Sequence, residues 1–405
     1  MKKFNKFLSV ALASAMVMAM AGCGNTDNGS AATGTNAATE SAAASDSAAS
    51  GSVFKIGGIG PTTGGAAVYG LAVQHGAEIA VEEINAAGGI NGYQVEFKFQ
   101  DDEADAEKSV NAYNALKDWG AQIIDGSTTS GACIAVTDKT KEDNMFQITP
   151  SGSAVECVQY DNNFRVCFSN PNQGLASAQY IGENGLAEKI AVIYDSSDVY
   201  SSGIYEKFVK EAENQPFEVV AAEAFTADNK TDFSVQLQKA KDAGADMVFL
   251  PIYYQESALI LTQAAAMGYA PKWFSCDGMD GILGGVDNFD VSLTEGVMLL
   301  TPFAADATDD LTQSFVTKYK EKYGETPNQF AADSYDAIYV IKAAIEKSGV
   351  TPDMSVSDIC DGMKAAMTEI TVDGLTGSGM TWTADGEANK APKAVVIENG
   401  AYKAM

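Results

Sequence analysis

From Val53 onward, short continuous apolar runs alternate with longer segments in which apolar residues recur every three or four positions. The first pattern reads as buried parallel strand and the second as helix packed on one face. Strand-like runs at 53–59, 93–100, 121–124, 145–149 and 164–168 are separated by helical stretches at 69–86, 104–119 and 132–144. Gly88-Gly89 stops the first helix, and Asn91-Gly92 turns the chain into the next strand. A second series follows Asn170-Pro171: a helix at 173–184, then strands at 189–194, 217–224, 246–252 and 273–276, with helices near 202–212, 233–243 and 256–267. One more strand at 296–301 leads to helices at 311–323, 329–347 and 356–367. The Gly-rich tail 374–402, with Trp382, Asp385-Gly386 and an apolar run at 394–397, predicts a β-hairpin tying the two halves. The repeated strand-helix order predicts an α/β protein of two doubly wound lobes with parallel sheets, whose ligand loops lie at the strand ends.

The most telling of those loops lies between 126 and 153. Gly126-Ser127-Thr128-Thr129-Ser130-Gly131 stands where a strand's carboxyl end meets a helix's amino end, and Thr149-Pro150-Ser151-Gly152-Ser153 repeats the arrangement one strand later. A helix start leaves backbone N–H groups unpaired with the positive end of the dipole outward, and hydroxyls add donors without charge. Ser130 and Ser153 are therefore expected to face one crevice and hold an anion. With no Gly-Lys-Ser/Thr loop and no Lys or Arg between residues 126 and 138, the anion is a small carboxylate in preference to a polyphosphate. The plainer reading, that these are ordinary caps and turns, stays open on the sequence alone.

Composition narrows the partners. The 405 residues, 46% hydrophobic and 20% charged, carry a net charge of −28, which argues against a nucleic-acid partner and against docking on anionic lipid. At the amino terminus Lys2, Lys3 and Lys6 precede an apolar run at 7–21, too short to span a bilayer but suited to a signal peptide. Met20-Ala21-Gly22-Cys23 resembles a bacterial lipobox, so Cys23 is the expected lipidation site. Loss of residues 1–22 removes those three lysines and no acid, taking the charge from −28 to −31. Residues 24–52 are almost all Ala, Ser, Gly, Thr, Asn and Asp and read as a flexible tether. Five further cysteines, 133, 157, 167, 276 and 360, match no metal or redox spacing, and His75 is the single histidine. No metal or cofactor is expected. Cys157 and Cys167 flank what reads as a hairpin, and export permits a disulfide there, although spacing alone does not decide one.

With that order in place, residues 53–401 resemble the extracytoplasmic substrate-binding proteins of branched-chain amino-acid ABC transporters, the type I periplasmic binding proteins. The specific stretches are 56–70, Ile84-Asn85-Ala86-Ala87-Gly88-Gly89-Ile90-Asn91-Gly92, Thr149-Pro150-Ser151-Gly152-Ser153 and 327–339. The resemblance implies three interlobe crossings, a hinge and one amino acid in the cleft. It assigns the carboxylate to Ser130 and Ser153, with Ser151 offering backbone groups. It assigns the α-ammonium to Asp277, where the leucine/isoleucine/valine-binding member has Glu; Glu256 and Asp280 are the competitors. Tyr69, Tyr200, Tyr253 and Phe330 match the family's aromatic cleft residues. Cysteines that some members place near the site are absent, with Glu103 and Thr129 in their positions.

The implied organisation is a lipoprotein signal peptide at 1–22, lipidated Cys23 and tether at 23–52, lobe 1 at 53–170 and 302–380, and lobe 2 at 171–301 and 381–405. The implied role is capture of a branched-chain or other apolar amino acid and delivery to membrane permease subunits driven by a separate ATPase, with no catalysis. An extracellular sensor of the same fold, or a binder of an amide, aromatic acid or nucleoside, is the alternative. An exported hydrolase lacks a base, since His75 lies within the first helix and no Gly-x-Ser-x-Gly elbow occurs.

Overall fold

The computed structural model describes residues 51–405; the signal segment, Cys23 and nearly all of the tether lie outside the described residues. Two sheets organise the body. The first has the order β2-β1-β3-β4-β5, all parallel, from β1 (Phe54–Gly60), β2 (Val95–Asp101), β3 (Ile123–Asp125), β4 (Phe146–Thr149) and β5 (Asn163–Arg165). Between them run α1 (Ala67–Ala86), α2 (Ala106–Trp119) and α3 (Ser130–Asp143). β3 and β4 are wholly buried, which is why their sequences are continuously apolar or carry polar side chains with internal partners.

After α4 (Asn170–Glu183) the second sheet begins. Its core is β6 (Lys189–Asp195), β7 (Glu218–Phe225), β8 (Met247–Leu250), β9 (Lys272–Ser275) and β10 (Met298–Thr301), all parallel. α5 (Val199–Ala212), α6 (Ser234–Asp242) and α7 (Tyr254–Ala266) connect the strands from β6 to β9. The chain then returns to the first lobe with α8 (Asp310–Tyr323), α9 (Gln329–Ser348) and α10 (Val356–Met367). α9 lies against α1 at a glycine: a Cβ on Gly76 would sit 2.0 Å from the Ala331 carbonyl oxygen.

Two expectations are corrected, and one open point is decided. The hairpin is confined to β11 (Lys393–Glu398) and β12 (Ala401–Ala404), which add antiparallel to β10 and give the order β12-β11-β10-β9-β8-β6-β7. It turns at Asn399-Gly400, both at positive φ (54° and 72°), while Asp385-Gly386 makes a separate turn in which Trp382 and Ala388 bridge and Gly386 N–H donates to the Thr383 carbonyl at 3.1 Å. Residues 381–390, expected in lobe 2, stay on lobe 1. There Trp382 Nε1 donates to the Arg165 carbonyl at 2.8 Å, Arg165 N–H to that of Gly386 at 3.1 Å, and Lys390 pairs with buried Asp333 at 2.7 Å. Finally, Cys157 and Cys167 are both free and buried. Cys157 lies on a short 3-10 turn and packs with Cys133 and Ala154.

Candidate ligand-binding site

The lobe 1 wall is the amino end of α3. Thr129 takes an extended N-cap conformation (φ −95°, ψ 150°) without a side-chain cap, so the helix opens at Ser130, two residues earlier than its apolar pattern suggests. Ser130 Oγ accepts from the backbone N–H groups of Ser153 (3.2 Å) and Ala154 (3.1 Å), which ties the two hydroxyl loops together and leaves its own proton to donate. Ser153 Oγ and Thr129 Oγ1 are buried and, among the described residues, have no hydrogen-bond partner. Ser151 differs: its hydroxyl donates to the Thr128 carbonyl at 2.6 Å, so only its backbone remains to offer. Uncharged donors around a helix start are a site for a small anion.

The lobe 2 wall is built on Asp277, just beyond β9 and 3% exposed. Tyr200 Oη donates to Asp277 Oδ1 at 2.6 Å and Gln173 Nε2 to Oδ2 at 2.9 Å, while the Gly278 N–H donates to Tyr200 Oη at 2.9 Å. Burial pushes the Asp277 carboxyl up to about 7, against the opposing pull of these donors. Tyr253 stacks on Tyr200 with ring centres 5.0 Å apart. Asp198 caps α5 by accepting from Tyr200 N–H at 3.0 Å, which fixes the ring's approach.

Tyr69 closes the two walls on each other. Its hydroxyl donates to the Gly278 carbonyl and accepts from Tyr254 N–H at 3.2 Å, and its ring lies 4.3 Å from that of Phe330 at the start of α9. Together with Ser130, Ser151, Tyr200, Tyr253 and Asp277, these two rings surround a cavity of 10 Å³, room for one water at most. Ser153 stands behind Ser130 and does not line it. The sequence reading overlooked Gln173, Thr128 and Gly278. Gln173 lies 104 positions from Asp277 and carries no local signal. Gly278 has one in hindsight, since a Cβ there would meet Tyr200 Oη at 2.6 Å. The two competitors of Asp277 are engaged elsewhere: Glu256 with Lys230 at 3.1 Å, and Asp280 with the Gln329 N–H at 2.9 Å. His75 stacks on Tyr323 at 3.6 Å, away from the cleft.

The model of the periplasmic binding protein family matches residues 53–401, nearly the whole described body. The chain belongs to this family. A periplasmic binding protein works outside the cytoplasm, so the body of this one is extracytoplasmic. Among its relatives, Leu/Ile/Val-binding protein homolog 3 of Brucella melitensis is 30% identical over 74% of this chain and 80% of its own length. The leucine-, isoleucine-, valine-, threonine- and alanine-binding protein of Pseudomonas aeruginosa is 30% identical over 73% and 78%. The branched-chain amino acid transporter substrate-binding protein LivJ of Streptococcus pneumoniae, solved with isoleucine, superposes with a TM-score of 0.78 at 28% identity, over 87% of this chain and 98% of its own. The α/β architecture of two lobes with parallel sheets is thus that of the type I periplasmic binding proteins.

Proposed function

We propose that this protein captures one free α-amino acid between its lobes and presents it to an ABC uptake transporter. The observation that carries the reading is the opposition of two chemistries across one small cavity: hydroxyls and a helix start on lobe 1, and the buried Asp277 carboxylate on lobe 2. An α-amino acid has the matching pair of ends. Its carboxylate meets Ser130 and the free N–H groups of α3; its ammonium meets Asp277, held by Tyr200 and Gln173. Tyr69, Tyr253 and Phe330 wall the side chain at low entropy cost. The cavity is far smaller than an amino acid, so the lobes part to admit ligand and close on it. The branched-chain ligands of the relatives favour leucine, isoleucine or valine. The protein performs no chemistry in this scheme; the liganded closed shape is what permease subunits recognise, a separate ATPase supplies the energy, and lipidated Cys23 keeps the body at the outer face of the membrane.

Isothermal titration of residues 24–405, unfolded and refolded to strip carried-over ligand, against the twenty amino acids tests the reading. Saturable binding of an apolar amino acid at one site per chain is expected. Heat from an aromatic acid, amide or nucleoside alone would overturn it.

A further inference from the structure

A second cavity, of 490 Å³, lies beside the cleft and is not used by the mechanism above. Lobe 1 supplies Val68 and Leu71 from α1 and Pro327 from the loop before α9; lobe 2 supplies Asp280, Leu283 and Tyr402. Its size is that of a site for a small organic molecule. Leu71 remains 38% exposed, whereas Asp280 is 4% exposed. One oxygen of that carboxylate accepts from Gln329 N–H at 2.9 Å; Tyr402 Oη, which accepts from Gly281 N–H at 3.2 Å, stands beside the carboxylate, yet the other oxygen, Oδ1, is buried with no well-aligned hydrogen bond among the described residues. A buried carboxylate oxygen without a donor is costly, and a bound donor relieves it. The remaining charges of the lining cancel: Asp306 faces Lys403 at 3.7 Å, and Glu325 is offset by Lys320. Glycine keeps the cavity in shape, since a Cβ on Gly281 or Gly285 would come within 2.7 Å or 2.6 Å of the Val68 methyls.

We infer that this cavity is a second ligand site, separate from the amino-acid cleft, taking a small organic ammonium with an apolar body: the ammonium donates to Asp280 Oδ1 and the body lies against Val68, Leu71 and Leu283. Because both lobes contribute walls, a ligand here favours the closed arrangement. It therefore raises affinity at the cleft, and by linkage the amino acid raises affinity for the amine by the same factor.

The test uses 2-phenylethylammonium, n-hexylammonium and cyclohexylammonium as probes, titrated into stripped residues 24–405 by ligand-observed NMR, first without amino acid and then with leucine saturating. Saturable binding of at least one probe is expected below about 10 mM, tightened severalfold by leucine. Asp280→Asn, which keeps an acceptor for Gln329, should weaken it at least tenfold. Leu71→Trp, on a partly exposed side chain that leaves the fold intact, should abolish it, and Asp277→Asn should leave it unchanged. The inference is overturned if no probe saturates. It is also overturned if leucine displaces the amine or Asp277→Asn removes it, since the amine then occupies the cleft. The amine-only titration reads this site whether or not the cleft takes an amino acid.

Discussion

Tyr200 Oη stands between Asp277 and Gly278, donating to the carboxylate at 2.6 Å and accepting from the next residue's N–H at 2.9 Å. The same hydroxyl thus shapes the loop and holds the charge. Tyr200→Phe removes one of the two side-chain donors to Asp277 and leaves the Gly278 N–H buried without a partner. Such a loss costs about 1–3 kcal/mol. Amino-acid affinity should fall roughly 5- to 150-fold by titration calorimetry. An unchanged affinity would show that Asp277 is not the ammonium partner.

Asp277 also makes binding depend on pH. Its carboxyl is pushed up to about 7 by burial, whereas an unfolded Asp titrates near about 3.9. Between those values the folded chain holds a proton that the unfolded chain has lost, so this group's contribution to stability falls as pH rises through the window. A bound ammonium favours the carboxylate and lowers its pKa. Ligand binding below pH 7 must then expel a proton, and affinity should rise by up to about tenfold per pH unit until pH passes 7, then level off. Titrations at pH 6 in buffers of different ionisation heat measure the released proton directly. Asp277→Asn should abolish both the release and the slope; a slope that survives it assigns the titration to another group.

The two serines of the lobe 1 wall should separate fold from ligand. Ser130 Oγ accepts two backbone N–H groups, so Ser130→Ala should lower thermal stability as well as weaken amino-acid binding by about 1–3 kcal/mol. Ser153 Oγ has no partner to lose. It also stands behind Ser130, so Ser153→Ala should leave both the melting temperature and amino-acid binding nearly unchanged. Equal losses of stability in the two variants would contradict the asymmetry.

Much of this arrangement was legible before any coordinates. Parallel strands buried on both faces read as unbroken apolar runs, and Gly88-Gly89 and Asn91-Gly92 mark their boundaries locally. What escaped depended on distant partners. Trp382 and Lys390 stay with lobe 1 because Arg165 and Asp333 receive them, more than 50 positions away in each case. Asn399-Gly400 and Asp385-Gly386 both turn the chain, and only the pairing with β10 decides that the first carries the sheet hairpin. Ser130 heads α3 because Thr129 turns extended, which periodicity does not report. Gln173 reads as one more polar helix residue until Asp277 is beside it.

Gly278 gives a test of closure. A Cβ at this position would meet Tyr200 Oη at 2.6 Å and the Ile252 carbonyl at 2.9 Å. Gly278→Ala must push the loop out or break the Tyr200 bond, an overpacking cost of about 1–3 kcal/mol. Pushing the loop out also moves the Gly278 carbonyl that accepts the Tyr69 bond between the lobes, and only the closed form has that bond to lose. Small-angle scattering should show a chain that stays expanded when leucine is added, whereas the natural sequence contracts. Normal contraction would mean that the loop relaxes without affecting closure.

The cysteines can be counted in solution. All five in residues 51–405 are buried and free, and burial pushes the thiols of Cys157, Cys167, Cys276 and Cys360 up, away from the reactive thiolate. Cys157 Sγ instead faces the Ser130 carbonyl at 3.7 Å, directly behind the site that holds the carboxylate in our proposal. Purified residues 24–405, prepared without reductant, should show no rapid reaction with a thiol reagent while folded and five equivalents once denatured. Three equivalents on denaturation would reveal a disulfide, and the mass of the linked peptides would identify it. If it joined Cys157 to Cys167, the packing of Cys157 with Cys133 described above would be wrong, and with it the backing of Ser130.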